Sequence, residues 1–367
     1  MKLNRFTTII ITNLCTIFVL SSCGSKSNDN GATTVIQAIA YCSTISNHST
    51  GVTITGSAQY QYRANGNGAV AGPNPIRYAE IRVKNSDGAL IQCGETDVSG
   101  NFSLQLPGDS STATIEVTSR ADNSFVKAYI LKNPTLNTHH SISTSVVLDG
   151  SKSVGTLTAS ATDTLEGGAF NILDQVVNAN DFLRTQTSNC SVTFAACTPY
   201  TVNPLINIYW DKGVNPGSYF GQPALSFYLP DQKQLYILGG SNGDVDSSDT
   251  DHFDNTIILH EFGHFLEDTY AKIDSPGGIH NGNSIIDPRL AWGEGFANYF
   301  QAAVTGIYVY RDTFGTPNGT SGVFIEQNLE TGSIDIATQL GQGAFREFSV
   351  TRALVDITDS TNEGPGV

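Results

Sequence analysis

The chain is poor in charge: Asp, Glu, Lys and Arg make up 14% of its 367 residues, against about a quarter in ordinary soluble domains. Gly, Ser, Thr and Asn fill the gap, which describes an exported, loop- and strand-rich protein. Basic residues are the scarcer sign, 19 against 34 acidic. The negative surface argues against nucleic acid or anionic lipid head groups as partners and favours basic peptides. Methionine is confined to Met1, so no internal methionine can support a site. No Cys-x-x-Cys pair occurs, which excludes a dithiol redox motif and a thiolate zinc site. No serine or thiol constellation for covalent catalysis stands out either.

The length suggests two domains. Residues 1–22 have the form of a signal peptide, with Lys2 and Arg5 ahead of an apolar core from Ile9 to Leu20, too short and interrupted to span a membrane comfortably. Four cysteines remain once Cys15 and Cys23 are set aside. Outside the cytoplasm an even number favours disulfides, and proximity favours Cys42 with Cys93 and Cys190 with Cys197.

From residue 40 to about 150 short alternating strands recur with Gly turns between them. Ile76–Val83 turns at Asp87-Gly88 into Ala89–Ile91, and Ser99-Gly100 leads into Phe102–Leu106. This predicts an all-β sandwich. Phe125–Ile130 and Ser143–Leu148 read as further strands of it. His139-His140 is read as surface, because neighbouring strand residues point to opposite faces. Residues 155–168 read as a polar linker, and Ala169–Leu183 as an amphipathic helix. Leu205–Trp210, Phe227–Leu229 and Gln234–Gly240 read as strands.

The chemistry concentrates between Thr256 and Phe300. His260-Glu261-Phe262-Gly263-His264 is His-Glu-x-x-His in an apolar frame. On a helix, residues four apart share a face, so His260 and His264 can present two imidazoles to one ion, with Glu261 beside it as general base. Zinc is the expected ion, and it needs a third protein ligand. Glu294 supplies a candidate in Trp292-Gly293-Glu294-Gly295-Phe296, where an acid in an apolar frame is costly unless paired. Flanking glycines leave room for a neighbouring helix. Asn298 shares Glu294's face and can accept the second N–H of a ligand histidine. The bland alternatives are a buried helix with incidental histidines and a helix-start acid at Glu294.

These residues resemble the gluzincins, the thermolysin-like metallopeptidases, in which His-Glu-x-x-His is followed by a downstream glutamate ligand. The resemblance implies an α+β zincin-like catalytic domain with one catalytic zinc on His260, His264 and Glu294 and Glu261 as base. Where the family often has an Asp four residues after the glutamate, this chain has Asn298. The metzincins are excluded: they need Gly and His where this chain has Glu267 and Tyr270, and a methionine turn. In gluzincins the strand just upstream of the metal helix, here Gln234–Gly240, is an edge that pairs with extended substrate. The Gly-x-Met-x-Asn motif of the aminopeptidase subgroup is absent, which favours an endopeptidase.

Other resemblances complete the layout. Leu20-Ser21-Ser22-Cys23 resembles a bacterial lipobox and implies lipidation of Cys23, a tether over 23–39 and a cell-envelope location. Ala79–Leu106, with its Thr-Asp-x-Ser-Gly-x-Phe run, resembles the transthyretin-like or carboxypeptidase-regulatory-like sandwich. The expected layout is multidomain, with the all-β sandwich over 40–150 and the catalytic domain over 151–367, the latter incomplete at its C-terminus. The acid-rich run Asn242–Asp251 offers hard oxygen ligands for calcium, although a solvated loop capping the metal helix at Asp254 or Asn255 is the preferred reading. His280, with Tyr299, Tyr308 and Tyr310 as rivals, is a candidate donor to a developing oxyanion. The expected function is zinc-dependent peptide hydrolysis on a peptide or protein substrate. The alternative is a surface binding lipoprotein whose zincin-like domain no longer turns over.

Overall fold

The structure, a computed structural model, describes residues 42, 45–190, 198–221, 223–282, 284–315, 323–330 and 343–358. Ten strands come first: β1 (Val52–Arg63), β2 (Val70–Pro75), β3 (Glu80–Asn85), β4 (Leu90–Glu95), β5 (Asn101–Leu106), β6 (Thr112–Thr118), β7 (Arg120–Asp122), β8 (Lys127–Leu131), β9 (Ser141–Val147) and β10 (Lys152–Ala159). Helix α1 (Glu166–Thr187) follows, then β11 (Ile206–Tyr209), β12 (Phe227–Leu229) and β13 (Gln234–Tyr236). The chain continues through α2 (Asn255–Tyr270), α3 (Pro288–Thr305), β14 (Val309–Gly315), β15 (Val323–Asn328) and α4 (Glu347–Thr358). The protein is thus a mixture of several sheets with helices.

Two four-stranded sheets form the β-rich part. In one, β1 carries β10 along one edge, and β5 then β2 along the other. The second runs β4-β3-β6-β9, antiparallel throughout. Alternation places Phe102, Leu104 and Leu106 of β5 inward and Asn101 and Ser103 outward, as the two-residue period of a strand requires. These side chains meet Ile81, Val83, Ile115 and Val117 of the second sheet in one apolar core. A disulfide ties Cys42 to Cys93 of β4. Cys190 is also disulfide-bonded, while Cys197 lies outside the described residues.

The sheets do not follow the expected division at residue 150. The third sheet runs β12-β13-β11-β8-β7, so β7 and β8 leave the β-rich part and join strands from beyond α1. There β11 pairs in parallel with β8, Ile206 opposite Ala128 and Tyr209 opposite Leu131. The physical reason lies in β8 itself. Ala128 and Ile130 enter the main core while Tyr129 and Leu131 enter a second cluster with Tyr209 and Tyr236. A strand buried on both faces suits a parallel sheet and would be wasted on one with a wet face.

Residues 155–159, the start of the stretch expected to be linker, belong instead to β10, the parallel partner of β1. Their mostly exposed, Ser- and Thr-rich face hides the strand, which gains side-chain bonds from Ser57 to Thr156 and from Gln59 to Thr158. His140 is also not at the surface. It is buried, with Nε2 2.8 Å from the Trp210 carbonyl oxygen, and burial pushes its pKa down to about 4. Strand β13, expected at the sheet edge, is flanked by β11 and β12, which leaves β12 as the outer strand.

Helix α1 joins the two parts. Phe170, Ile172 and Val176 share the core with Ile54 of β1 and with Ile258, Phe262 and Phe265 of α2. Arg77 fastens the junction, 2.7 Å from Asp174 Oδ1, 2.6 Å from Asn178 Oδ1 and 3.0 Å from Asp181 Oδ2. Helix α3 begins where Asp287 accepts from the Arg289 N–H with Pro288 in the first turn, and stops at Gly306, whose φ of 68° is the left-handed end that glycine adopts freely.

Candidate metal centre

Helices α2 and α3 pack so closely that a Cβ on Gly263 would stand 3.2 Å from Ala297 Cα. This contact brings three polar side chains together inside an apolar shell. His260 Nε2 lies 3.1 Å from His264 Nε2 and 3.2 Å from Glu294 Oε2, and His264 Nε2 lies 3.2 Å from the same oxygen. All three residues are buried, and Glu294 is fully so.

The near-equilateral triangle is the right size for a tetrahedral ion. Bonds of about 2.0–2.1 Å separate neighbouring ligand atoms by roughly 3.3 Å. Two imidazoles and a carboxylate are also the donor set that suits zinc. Without an ion the cluster must share protons. Burial alone would lower the His264 pKa, but the charge and hydrogen bond of Glu294, helped by Glu261 and Glu267, push it up to about 9. Burial works against the Glu294 carboxylate too, yet His280, His264 and His260 together hold its pKa well below the usual range.

Glu261 is the most exposed to cost of all these groups. It is 1% accessible, and among the described residues neither carboxylate oxygen has a hydrogen-bond partner. A buried carboxylate in that state has a large desolvation penalty, which a cation or a polarised water nearby would offset. Asn298, one turn beyond Glu294 and buried, places Oδ1 3.0 Å from His260 Nδ1. If Nδ1 carries the proton it donates to that oxygen, and Nε2 then presents its lone pair to the triangle.

His280 is buried rather than free in its loop. Its Nδ1 lies 2.6 Å from Glu347 Oε2 and its Nε2 3.4 Å from Glu294 Oε1. Glu347, at the start of α4, has no spacing signal that could tie it to His280 across 67 residues. Among the tyrosine rivals, Tyr310 is buried with its ring 6.1 Å from that of His260, while Tyr299 and Tyr308 are only half-buried. Cys23 and the expected leader, residues 1–22, lie outside the described residues.

Asp254 precedes α2 but does not cap it through its side chain. Its Oδ2 instead accepts from the Thr313 N–H and hydroxyl, at 2.9 and 2.8 Å. The acid-rich loop is not wholly solvated either, since Asp251 is buried.

The family profile described as the Mycolysin C-terminal domain matches residues 185–366. The match spans α2, α3 and α4 and relates this part of the chain to the thermolysin-like peptidases. A comparison with curated proteins found no match.

Proposed function

We propose that the protein is a zinc-dependent peptidase, an endopeptidase, held at the bacterial cell envelope through a lipid on Cys23. The observation that carries this reading is the buried triangle of His260, His264 and Glu294, with Glu261 beside it and without a hydrogen-bond partner among the described residues. Those three residues would hold the ion. When bound, zinc supplies Lewis acidity, acidifying a water and polarising the carbonyl to be attacked.

The chain's own groups do the rest. Glu261 takes a proton from the attacking water and returns it to the leaving amine. Asn298 keeps the His260 ring in one orientation and one tautomer. His280, bonded through Nδ1 to Glu347, lies 3.4 Å from the second oxygen of Glu294 and favours its charged form. A cavity of about 210 Å³ bounded by Glu267, Lys272, Arg289 and Trp292 opens beside the ligand helices and suits a substrate side chain. The two four-stranded sheets, read as the regulatory-like sandwich, would space this site from the membrane.

The test is peptide-library cleavage by the chain, by Glu261→Gln and by the chelated protein. The expected loss in Glu261→Gln is about 10²–10⁴-fold with zinc content unchanged, and internal cut sites would mark an endopeptidase. Full hydrolysis by zinc-loaded Glu261→Gln would sink the reading.

A further inference from the structure

The stripe of α2 that carries the two histidines does not end with them. Glu267 follows His264 by three residues and His260 by seven, so it shares their face of the helix one turn further on. It is half-buried, and its charge is close enough to act on His264. The contact between the helices leaves space for it: a Cβ on Gly293, next to Glu294, would stand 3.2 Å from Glu267 Oε2. The Trp292 indole N–H donates a hydrogen bond to the same carboxylate. Among the described residues no lysine or arginine forms an ion pair with it.

This carboxylate lines the cavity of about 210 Å³ whose apolar walls are Ile273, Pro288 and Trp292. The indole is half exposed, which leaves part of its ring open to a ligand. A carboxylate among apolar walls selects for a cation: a neutral side chain leaves the charge without a partner, and an acidic one repels it. Burial, then the neighbouring charge of Glu294, raises the Glu267 pKa above its ordinary value, against the pull of His264 and of the Trp292 N–H. Holding the group ionised therefore has a cost that a bound cation would offset. The two cations at the cavity do not fill that role. Arg289 is committed to Asp287, with Nε 3.0 Å from Oδ1 and Nη2 2.9 Å from Oδ2, and Lys272 is exposed, where water screens it. Asp274, also exposed, adds a second acid at the rim.

We propose that this cavity is the specificity pocket of the peptidase and takes a basic side chain, arginine ahead of lysine, from one residue beside the cut, with Glu267 as its counter-charge. The inference rests on the peptidase reading and adds a substrate class to it. A planar guanidinium pairs with a carboxylate through two parallel N–H bonds and stacks on an indole, and Glu267 and Trp292 offer those two partners in one cavity. An ammonium makes neither the bidentate pair nor the stack as well. The excess of acidic residues, 34 against 19 basic, draws basic peptides to the surface in general. Glu267 turns that attraction into a choice at one position.

The test uses the full chain loaded with zinc. In peptide-library cleavage, arginine or lysine is expected at one fixed position relative to the cut. For two peptides that differ only there, arginine against leucine, the kcat/KM ratio is expected to fall by about 10–100-fold in Glu267→Gln, the size of a lost charge-assisted hydrogen bond. In Glu267→Lys a glutamate peptide should overtake the arginine one. Asp274→Asn should move the ratio by no more than about five-fold, as an exposed charge does. Trp292 gives a readout without turnover, because Trp210, the other tryptophan, is buried. N-acetylarginine amide is expected to shift the emission of the parent but not of Glu267→Gln, and N-acetylleucine amide to shift neither. Basic residues scattered over many positions would show steering by net charge alone and would overturn the pocket, as would an apolar preference that Glu267→Gln leaves unchanged. An emission response without any cleavage would keep the pocket and sink the peptidase. Cleavage without either the preference or the response would do the reverse.

Discussion

At the residue scale the centre depends on which nitrogen of each histidine faces the triangle. Asn298 settles this for His260 by standing 3.0 Å from Nδ1. A neutral amide holds the ring but does not add the charge that a carboxylate would, so its contribution is orientation first and ligand basicity second. Asn298→Ala should therefore weaken zinc binding by about 10–100-fold, measured by competition with a chromophoric chelator. Asn298→Asp should bind at least as tightly as the parent. Equal affinity in the alanine variant would show that the amide is packing, not positioning.

At the element scale the site is a stack of three helices. Helix α3 lies between α2, which carries both histidines, and α4, which carries Glu347. Glycine makes both contacts possible. A Cβ on Gly295 would stand 2.6 Å from Val350 Cβ and 2.8 Å from the Glu347 carbonyl oxygen, both too close for atoms that cannot swing away. Gly295→Val should cost about 1–3 kcal/mol by overpacking, read as a lower urea midpoint with an unchanged slope. It should also loosen zinc, because pushing α4 outward draws Glu347 away from His280.

At the scale of the whole molecule, one core runs from the β-rich part through α1 to α2, and Arg77 clamps the junction. Charge inside that body shapes how its stability responds to pH. Burial pushes Asp249 up to about 6, and burial with mutual repulsion takes Asp251, Asp254 and Asp312 well above their ordinary 3.8. The groups facing them are Glu261, Tyr310, Ser226 and Thr313, and among the described residues no basic side chain is paired to the acids. The folded state thus binds more protons than the unfolded chain above pH of about 4. The stability contribution is full below that and lost as pH rises through 6 and beyond. Thermal midpoints should fall between pH 5 and 8, more steeply for the parent than for Asp312→Asn. An identical slope in parent and variant would remove these carboxylates as its source.

The sequence alone made the local parts of this protein legible. Two-residue alternation marks β5, and four-residue spacing puts His260 and His264 on one helix face, because these periods follow from backbone geometry within a single element. Glu294 was legible from its cost, an acid in an apolar frame. Other features were decided only by tertiary packing. Sheet pairing joined β8 to β11 across more than 70 residues, and made Lys152–Ala159 a strand although its pattern is polar. Packing set Glu347 on His280 and brought Asp312 to Asp249 and Asp251, across more than 60 residues in each case. Such pairings are settled by which faces can be buried together, and no periodicity along the chain records that.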